Sequence, residues 1–531
     1  MHKLISGLFL LIILGTSLPS VKAADQRTLW DINQLSDIRD PNLIRAVFGY
    51  FPNRSINDDY SFTVTIPDPK PYQLFRVVLS PCSELKNYDL NYGACIENVA
   101  SRKIGSNSWS KASISTVSLG EPTVTIKKGA DLIVGQPVTA DALTLRPPGD
   151  RATIWTMPET PHSNGNSYLV RAVIAHPGAD NISYIDGGLQ RLFSMEILPI
   201  SFSQIGSMIT QDQFKVEEFP NGYEYKLRLR LGVFIKSISG WFFGRLQDPT
   251  IERNGPEGYL EVSGTPARVP VGTTDIIRKS DIPQKYLDKC PVVGSCYWTA
   301  NTFNKAAFYS ALDGTNPDVL SDFEQVKGGV KTVSTLTHWE ISSSRLSEVS
   351  TPSSNYKECT DKLYGPGARV FMGAVSSNAT LYQTTPPQWD ELNKAFTFKV
   401  SSPRLDEYGK PNKGFYTLYI PLDQANCRWG INASAPQAQI QIVNQDGTST
   451  ITTTVAMKEH GMLRFNVAGF GYSAPTIRIR MGQGNFIASP PLQESKTFTA
   501  KKTVLICIKG KTAKQVIGVR PKCPLGYRQW K

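Results

Sequence analysis

Acidic residues are missing from the last part of this chain. Residues 496–531 contain ten lysines and arginines and no aspartate or glutamate, whereas basic and acidic residues balance between 24 and 495. A separate cationic end is typical of segments that bind anionic polymers or membrane surfaces, although some only keep a protein soluble. We expect polyanion contact at Lys501, Lys502, Lys509, Lys511, Lys514, Arg520, Lys522 and Arg528.

Catalytic and metal-binding motifs are also missing. The chain has no His-Glu-x-x-His, no Gly-x-Ser-x-Gly, no Gly-x-x-x-x-Gly-Lys-Ser/Thr and no Gly-x-Gly-x-x-Gly segment. Their absence removes the usual signs of zinc proteases, serine hydrolases, nucleoside triphosphatases and dinucleotide enzymes. Beyond residue 23 the only histidines are His162, His176, His338 and His460, and single histidines are more often structural than catalytic. The sequence therefore predicts no catalytic residue, metal or cofactor.

Long apolar runs are confined to the N-terminus. Lys3 precedes an apolar stretch from Leu4 to Leu18, and Val21 and Ala23 suit a cleavage site before Ala24. This pattern predicts a signal peptide over residues 1–23, with an uncleaved anchor as the alternative. No later run reaches the roughly 18 apolar residues that a membrane helix needs. We therefore expect a secreted protein that is extracellular or attached to the cell surface.

The chain has few cysteines, but their number is even. Outside the reducing cytosol, eight cysteines favour disulfides, although sequence alone leaves 105 pairings open. Metal ligation is the weaker alternative, because no Cys-x-x-Cys is present. Proximity predicts the pairs Cys82–Cys95, Cys290–Cys296, Cys359–Cys427 and Cys507–Cys523.

Alternating apolar residues predict a mainly β, multi-domain protein. The clearest case is Tyr223 to Ile235, where every second residue is apolar. We expect the intervening Glu, Lys and Arg to form the solvent-exposed face of this strand. We expect an N-terminal β domain over 24–118 and a central β domain over 119–341. A linker over 342–355 then leads to an immunoglobulin-like or jelly-roll-type sandwich over 356–490.

Three adjacent aromatic residues stand out in the central domain. Trp241, Phe242 and Phe243 cannot all face one core in a strand, because successive side chains alternate. They are candidate aromatic contacts for a sugar. Packing against a second sheet or a neighbouring domain is the favoured interpretation.

Helical signals gather at about 281–328. We expect short helices at Pro283–Lys289, Phe303–Leu312 and Pro317–Lys327 within an insertion that carries a pocket or covers a sheet edge.

The cationic end has its own strand pattern. Thr503 to Ile508 and Gln515 to Val519 flank a polar, glycine-containing turn, which predicts a hairpin within residues 496–531. The segment from Cys507-Ile-Lys-Gly-Lys511 to Arg520-Pro-Lys-Cys-Pro-Leu-Gly-Tyr527 resembles a C-terminal module of uncharacterised exported actinobacterial surface proteins. The resemblance implies export from a bacterial cell and surface association, and supplies no catalytic residue.

Two functional interpretations remain. The first is a non-catalytic surface protein whose β domains serve adhesion or bind glycan or protein, and whose basic tail holds it to an anionic cell envelope. The second is an extracellular polysaccharide hydrolase with a site near the helical insertion. Specific nucleic-acid binding is not expected, because the tail has too few aromatic residues for base stacking.

Overall fold

A computed structural model gives the fold, which is mainly β. The described residues are 43–49, 59–66, 72–85, 93–120, 131–134, 137–140, 146–175, 192–203, 207–209, 213–254, 258–287, 297–298, 306–310, 317–343, 356–366, 370–383, 385–431, 437–443, 449–455, 457–472, 476–482, 503–509, 512–518 and 528–529. The chain forms two compact units, Met1–Gln483 and Gly484–Lys531. We call them the body and the tail unit.

The strands described up to residue 216 range from two to eleven residues in length. They are β1 Leu43–Gly49, β2 Phe62–Ile66, β3 Tyr72–Val78, β4 Cys95–Lys103, β5 Ser110–Lys111, β6 Ser113–Ile114, β7 Ser118–Leu119, β8 Asp131–Val134, β9 Thr153–Thr156, β10 Ser167–Ala175, β11 Leu192–Phe202, β12 Met208–Ile209 and β13 Phe214–Val216.

The middle of the body contains the two longest strands, β17 and β21, and two short helices. Its elements are β14 Tyr223–Arg230, β15 Gly240–Gly244, β16 Leu246–Asn254, β17 Tyr259–Thr274, β18 Ile277–Arg278, α1 Gln284–Leu287, β19 Tyr297–Trp298, β20 Ala306–Ser310, α2 Asp318–Glu324 and β21 Val330–Ser343.

The rest of the body adds two more helices to a further set of strands, and the tail unit is three-stranded. The elements are α3 Tyr356–Tyr364, β22 Phe371–Ser377, β23 Leu381–Tyr382, β24 Gln388–Asp390, β25 Ala395–Ser401, β26 Lys413–Pro421, α4 Leu422–Trp429, β27 Gln437–Val443, β28 Ser449–Val455, β29 Met457–Glu459, β30 Met462–Gly471, β31 Thr476–Gly482, β32 Thr503–Lys509, β33 Thr512–Gly518 and β34 Arg528–Gln529.

A central sheet runs through the body in the order β3-β10-β11-β21-β15-β22-β26-β30. Every neighbouring pair on this path is antiparallel except β15 and β22, which are parallel. A second sheet has the order β5-β4-β14-β17-β16. A third has β25-β31-β27-β28. The second sheet packs against one face of the central sheet, and the third sheet packs against the other face.

Two large cores lie on opposite faces of the central sheet. The first contains Phe242 and Trp339 from the central sheet and Leu227 from the second sheet. The other contains Phe465 from the central sheet and Ile479 from the third sheet. Smaller clusters lie beside β10 and β11 and around α2. This arrangement explains why many central strands read as nearly continuous apolar runs, since both of their faces are covered.

Strand pairing crosses the domain boundaries predicted near residues 118 and 341. β4 of the expected first domain pairs with β14 of the expected second, and β15 pairs with β22 of the expected third. By their contacts, the residues up to Gln483 group into one compact unit, and the three domains expected within it stay a prediction. The boundary before the tail unit falls close to the expected start at residue 496. The immunoglobulin-like topology stays a prediction.

One expected helix is a strand. Of the helices predicted at 281–328, α1 and α2 are present, but Ala306–Ser310 forms β20 instead of part of a helix at Phe303–Leu312. β20 pairs in parallel with β1 and antiparallel with β19. Pairing to a preformed sheet outweighs the helix propensity of alanine, which is at most about 1 kcal/mol per residue.

Buried tyrosines make the body sensitive to alkali. Burial raises the pKa of Tyr168 and Tyr225, whose hydroxyls lie 3.3 Å apart in the first core, and also raises the pKa of Tyr382, Tyr416 and Tyr472. An unfolded tyrosine ionises near pH 10, whereas these stay neutral while folded. Their stabilising contribution is therefore complete below about pH 10 and is lost as the pH rises further, by about 1.4 kcal/mol per tyrosine per pH unit.

Tyrosinate absorbance and far-ultraviolet circular dichroism should consequently change together as the pH is raised from about 9 to 12. Tyr225→Phe should make the stability of the folded chain fall less steeply over this range. Buried tyrosines that ionise while the circular dichroism stays native would contradict this expectation.

Candidate functional site

The predicted aromatic contacts are buried. Trp241 and Phe242 have no exposed surface, and Phe243 is 5% exposed. Trp241 and Phe243 pack into the core beside the third sheet, and Phe242 packs into the core beside the second sheet. Successive side chains of this strand therefore enter two different cores, one on each face of the sheet. None of the three rings is exposed enough to stack on a sugar. This burial agrees with the favoured interpretation, packing against a second sheet.

The predicted polyanion-binding positions fall partly within the described tail strands. Lys509, Lys514 and Arg528 lie in β32, β33 and β34, with Lys514 opposite Cys507 and Arg528 opposite Ile508. The remaining positions lie outside the described residues: Lys501, Lys502, Lys511, Arg520 and Lys522. The hairpin predicted from the sequence is present as β32 and β33, and β34 adds a third strand.

Two of the four predicted disulfides are confirmed. Cys82 is bonded to Cys95, and Cys359 is bonded to Cys427. The first bond ties a 3₁₀ turn to the start of β4, and the second ties α3 to α4. Cys290, Cys296 and Cys523 lie outside the described residues, and only the backbone of Cys507 is described.

Histidine 162 has the bonding of a structural residue. Its Nε2 lies 3.2 Å from the carbonyl oxygen of Ser167, and its Nδ1 lies 3.4 Å from the backbone N–H of Asn164. Burial lowers its pKa, and the charge of Glu217 opposes that effect only in part. Glu217 itself accepts hydrogen bonds from the hydroxyls of Ser201 and Ser163. A neutral imidazole with Nε2–H donating and Nδ1 accepting satisfies both contacts, so this ring fixes the turn before β10.

Buried carboxylates form a charge row on the central sheet. Arg171 of β10 lies opposite Glu196 of β11, with Nη2 and Oε2 2.7 Å apart, and its Nη1 lies 3.6 Å from Asp59. Glu196 in turn lies opposite Glu340 of β21. All three carboxyl side chains belong to buried residues. Arg171 lies between the carboxylates of Asp59 and Glu196 and attracts both, which offsets part of the cost of removing these charges from water.

The outer face of the second sheet carries a group of partly exposed, interacting side chains. We call it the cation–aromatic face, and its members are Glu97, Arg102, Trp109, Glu224, Lys226, Arg228, Glu252, Tyr259 and Glu261. The guanidinium carbon of Arg102 lies 4.4 Å from the centroid of the Trp109 ring, and Lys226 Nζ lies 4.7 Å from it. The guanidinium carbon of Arg228 lies 3.9 Å from the Tyr259 ring centroid.

The same cations are paired with carboxylates. Arg228 Nε donates to Glu97 at 2.6 Å, and Lys226 Nζ lies 3.3 Å from Glu261. Arg102 bonds to Glu224, and the Tyr259 hydroxyl donates to Glu252 at 2.5 Å. Cations therefore cover both aromatic rings, and carboxylates balance the cations. The alternation in β14 predicted the solvent-facing side of this strand, whereas no sequence pattern indicated Trp109 or the ion pairs.

Among the described residues, no group of three or more His, Cys, Asp or Glu side chains is arranged to hold a metal ion. None of their helices has both the length and the apolar character needed to cross a bilayer. Comparison with protein-family models, curated proteins and solved structures finds no match to this chain.

Proposed function

We propose that this chain is an exported, non-catalytic binding protein whose cationic tail unit holds it to an anionic cell envelope. The observation that carries the proposal is the partition of charge. Ten basic residues and no acidic one lie within 496–531, while the rest of the mature chain is balanced. A dense positive segment next to a neutral body attracts anionic polymer or membrane through the tail alone.

The strand arrangement of the tail unit supports this proposal. Because β32, β33 and β34 pair with one another, they bring Lys509, Lys514 and Arg528 into one small sheet. Pairing into one sheet brings these basic positions close together along the backbone and so concentrates positive charge in the tail unit. The tail is also a compact unit of its own, which suits a module with its own partner.

The body supplies the second half of the proposal, which is contact with another protein. Partly exposed ionic and aromatic side chains meet on the cation–aromatic face, where positive and negative groups alternate. Alternating charges select a complementary partner more than they raise affinity. We therefore propose protein adhesion ahead of glycan binding for the body.

Cell fractionation tests the role of the tail. The full chain should remain with the envelope in a low-salt wash and be released near 1 M salt, where the Debye length falls to about 3 Å. A chain ending after Ser495 should already appear in the low-salt wash. A matched control keeps the tail but replaces Lys501, Lys502, Lys509, Lys511 and Lys514 by glutamine.

The control should partition with the truncated chain. If the full and truncated chains fractionate alike and salt releases neither, the tail is not the anchor. If the glutamine variant stays bound while the truncated chain is released, the tail acts through contacts other than charge.

A further inference from the structure

The two cysteines of the Cys82–Cys95 disulfide differ in their exposure to solvent. Cys95 begins β4 and is fully buried. Cys82 belongs to the 3₁₀ turn Cys82–Glu84, is only partly buried, and is followed by the exposed Ser83 and Glu84. A thiolate from solution therefore has access to the Cys82 sulfur and not to the Cys95 sulfur.

A guanidinium group lies against the buried sulfur. Arg230 of β14 is opposite Cys95 in register, and its Nη2 donates to Cys95 Sγ at 3.3 Å. Its neighbour on the same face, Arg228, donates instead to the carboxylate of Glu97. Within the described ranges, Arg230 makes no ion pair with a carboxylate, and its buried Nε has no acceptor.

This contact is weak while the disulfide is intact and strong once it opens. A disulfide sulfur is a poor hydrogen-bond acceptor, whereas a thiolate is a charged one. A positive group beside a cysteine lowers the pKa of its thiol, and a thiol of lower pKa leaves faster in exchange. The arrangement therefore favours Cys95 as the leaving group.

We propose that Cys82–Cys95 is a thiol–disulfide exchange site for a dithiol reductant. One thiolate of the dithiol attacks Cys82 Sγ, and the bonding electron pair of the S–S bond passes to Cys95 Sγ beside Arg230. The second thiolate of the dithiol then attacks the mixed disulfide and releases Cys82, which takes a proton from water. The protein disulfide is reduced to two cysteines, and the dithiol is oxidised to its disulfide.

Exchange leaves the surrounding strands joined. The backbone N–H of Ile96 donates to the carbonyl of Ser80 at 2.9 Å, and β4 is paired along its length with β14. The change at this site is therefore local to the turn that carries Cys82. Cys359–Cys427 also combines a buried with a partly buried cysteine and provides an internal reference in the same molecule.

The test is graded reduction of the full native chain with dithiothreitol at pH 7, followed by alkylation and mass spectrometry of each cysteine. Cys82–Cys95 should open at a lower reductant concentration than Cys359–Cys427. Arg230→Gln should slow its opening about threefold or more and shift its midpoint about tenfold, since one pKa unit is a factor of ten. Arg230→Lys should keep most of the wild-type behaviour.

Arg268→Gln is the control, because it removes an exposed arginine of β17 that lies opposite Thr337 of β21 and not opposite a cysteine. It should reduce like the wild type. In each variant, an unchanged midpoint for Cys359–Cys427 shows that the body has remained folded. The proposal is overturned if Cys359–Cys427 opens first in the wild type, or if Arg230→Gln leaves the Cys82–Cys95 midpoint unchanged.

Discussion

Replacing Gly373 by alanine should destabilise the body by at least about 3 kcal/mol. Gly373 lies in β22 with φ of 155°, a conformation that side chains other than glycine rarely adopt. An added Cβ would lie 2.5 Å from Cζ3 of Trp241 and 2.5 Å from the carbonyl oxygen of Tyr419. Neither neighbour has room to move, because Trp241 is fully buried and Tyr419 lies in β26, which is paired with both β22 and β30.

The urea midpoint and the melting temperature of the folded chain measure this effect. Gly471→Ala is the control, because Gly471 also lies in the central sheet but has no atom within 4 Å of an added Cβ. It should change the free energy of unfolding by less than about 0.5 kcal/mol. Equal midpoints for Gly373→Ala and the wild type would mean that β22 and Trp241 do not pack as closely as described.

The close approach at Gly373 could not be read from the sequence. Period-two patterns did predict several strands, including β14 and the segment Ala395–Ser401. The pattern of β14 ran on to Ile235, however, whereas the strand ends at Arg230 and Gly232–Ser237 is a 3₁₀ helix. β27 and β28 flank Asp446-Gly447, a pair typical of tight hairpins, and they pair antiparallel. These signals are local, because they depend on alternation and on turn residues within a few positions.

Partners at long sequence separation were beyond local patterns. Alternation shows which face of a strand is apolar, but it does not show which strand pairs beside it. The parallel pairing of β15 with β22 joins two expected domains, and the pairing of β1 with β20 uses a segment expected to be helical. Neither pairing can be predicted from the pattern within a single segment.

The candidate sites show the same limit. Charge counting located the cationic tail, and spacing paired Cys82 with Cys95. Nothing in the sequence placed Arg230 beside that disulfide, because the contact depends on the register between β4 and β14. The register contains a bulge at Arg228 and Leu229, which no sequence signal revealed.

Arg245 is a buried arginine whose loss should leave several buried carbonyl oxygens without a hydrogen-bond donor. It is fully buried and sits between β15 and β16, where the chain passes from the central to the second sheet. Its Nη1 donates to the carbonyls of Ser377, at 3.1 Å, and Ala379, and its Nη2 donates to that of Thr380 at 3.4 Å. Its guanidinium carbon lies 4.0 Å from the Tyr382 ring centroid.

These contacts supply hydrogen-bond donors to the backbone carbonyls of a buried loop. Ser377, Ala379 and Thr380 have no exposed surface, so water cannot reach their carbonyl oxygens. Burial lowers the pKa of Arg245, while the neighbouring Tyr382 and Tyr472 act to raise it. Because a guanidinium is not deprotonated in proteins, Arg245 stays charged, and its charge strengthens each hydrogen bond to the loop.

Arg245→Ala should therefore reduce the free energy of unfolding by about 3–5 kcal/mol, since several buried carbonyls lose their donor and a cavity opens. Arg245→Met restores most of the volume without the donors, and should lose about 2–3 kcal/mol because the carbonyls remain unsatisfied. Arg228→Met is the matched control on a half-exposed arginine and should lose less than about 1 kcal/mol. Urea denaturation of the three variants separates the effect of the lost hydrogen bonds from the effect of the cavity. If Arg245→Met is as stable as the wild type, the free-energy cost of burying the charge equals the stabilisation from its hydrogen bonds. Arg245 would then support this loop by filling space and not by its charge.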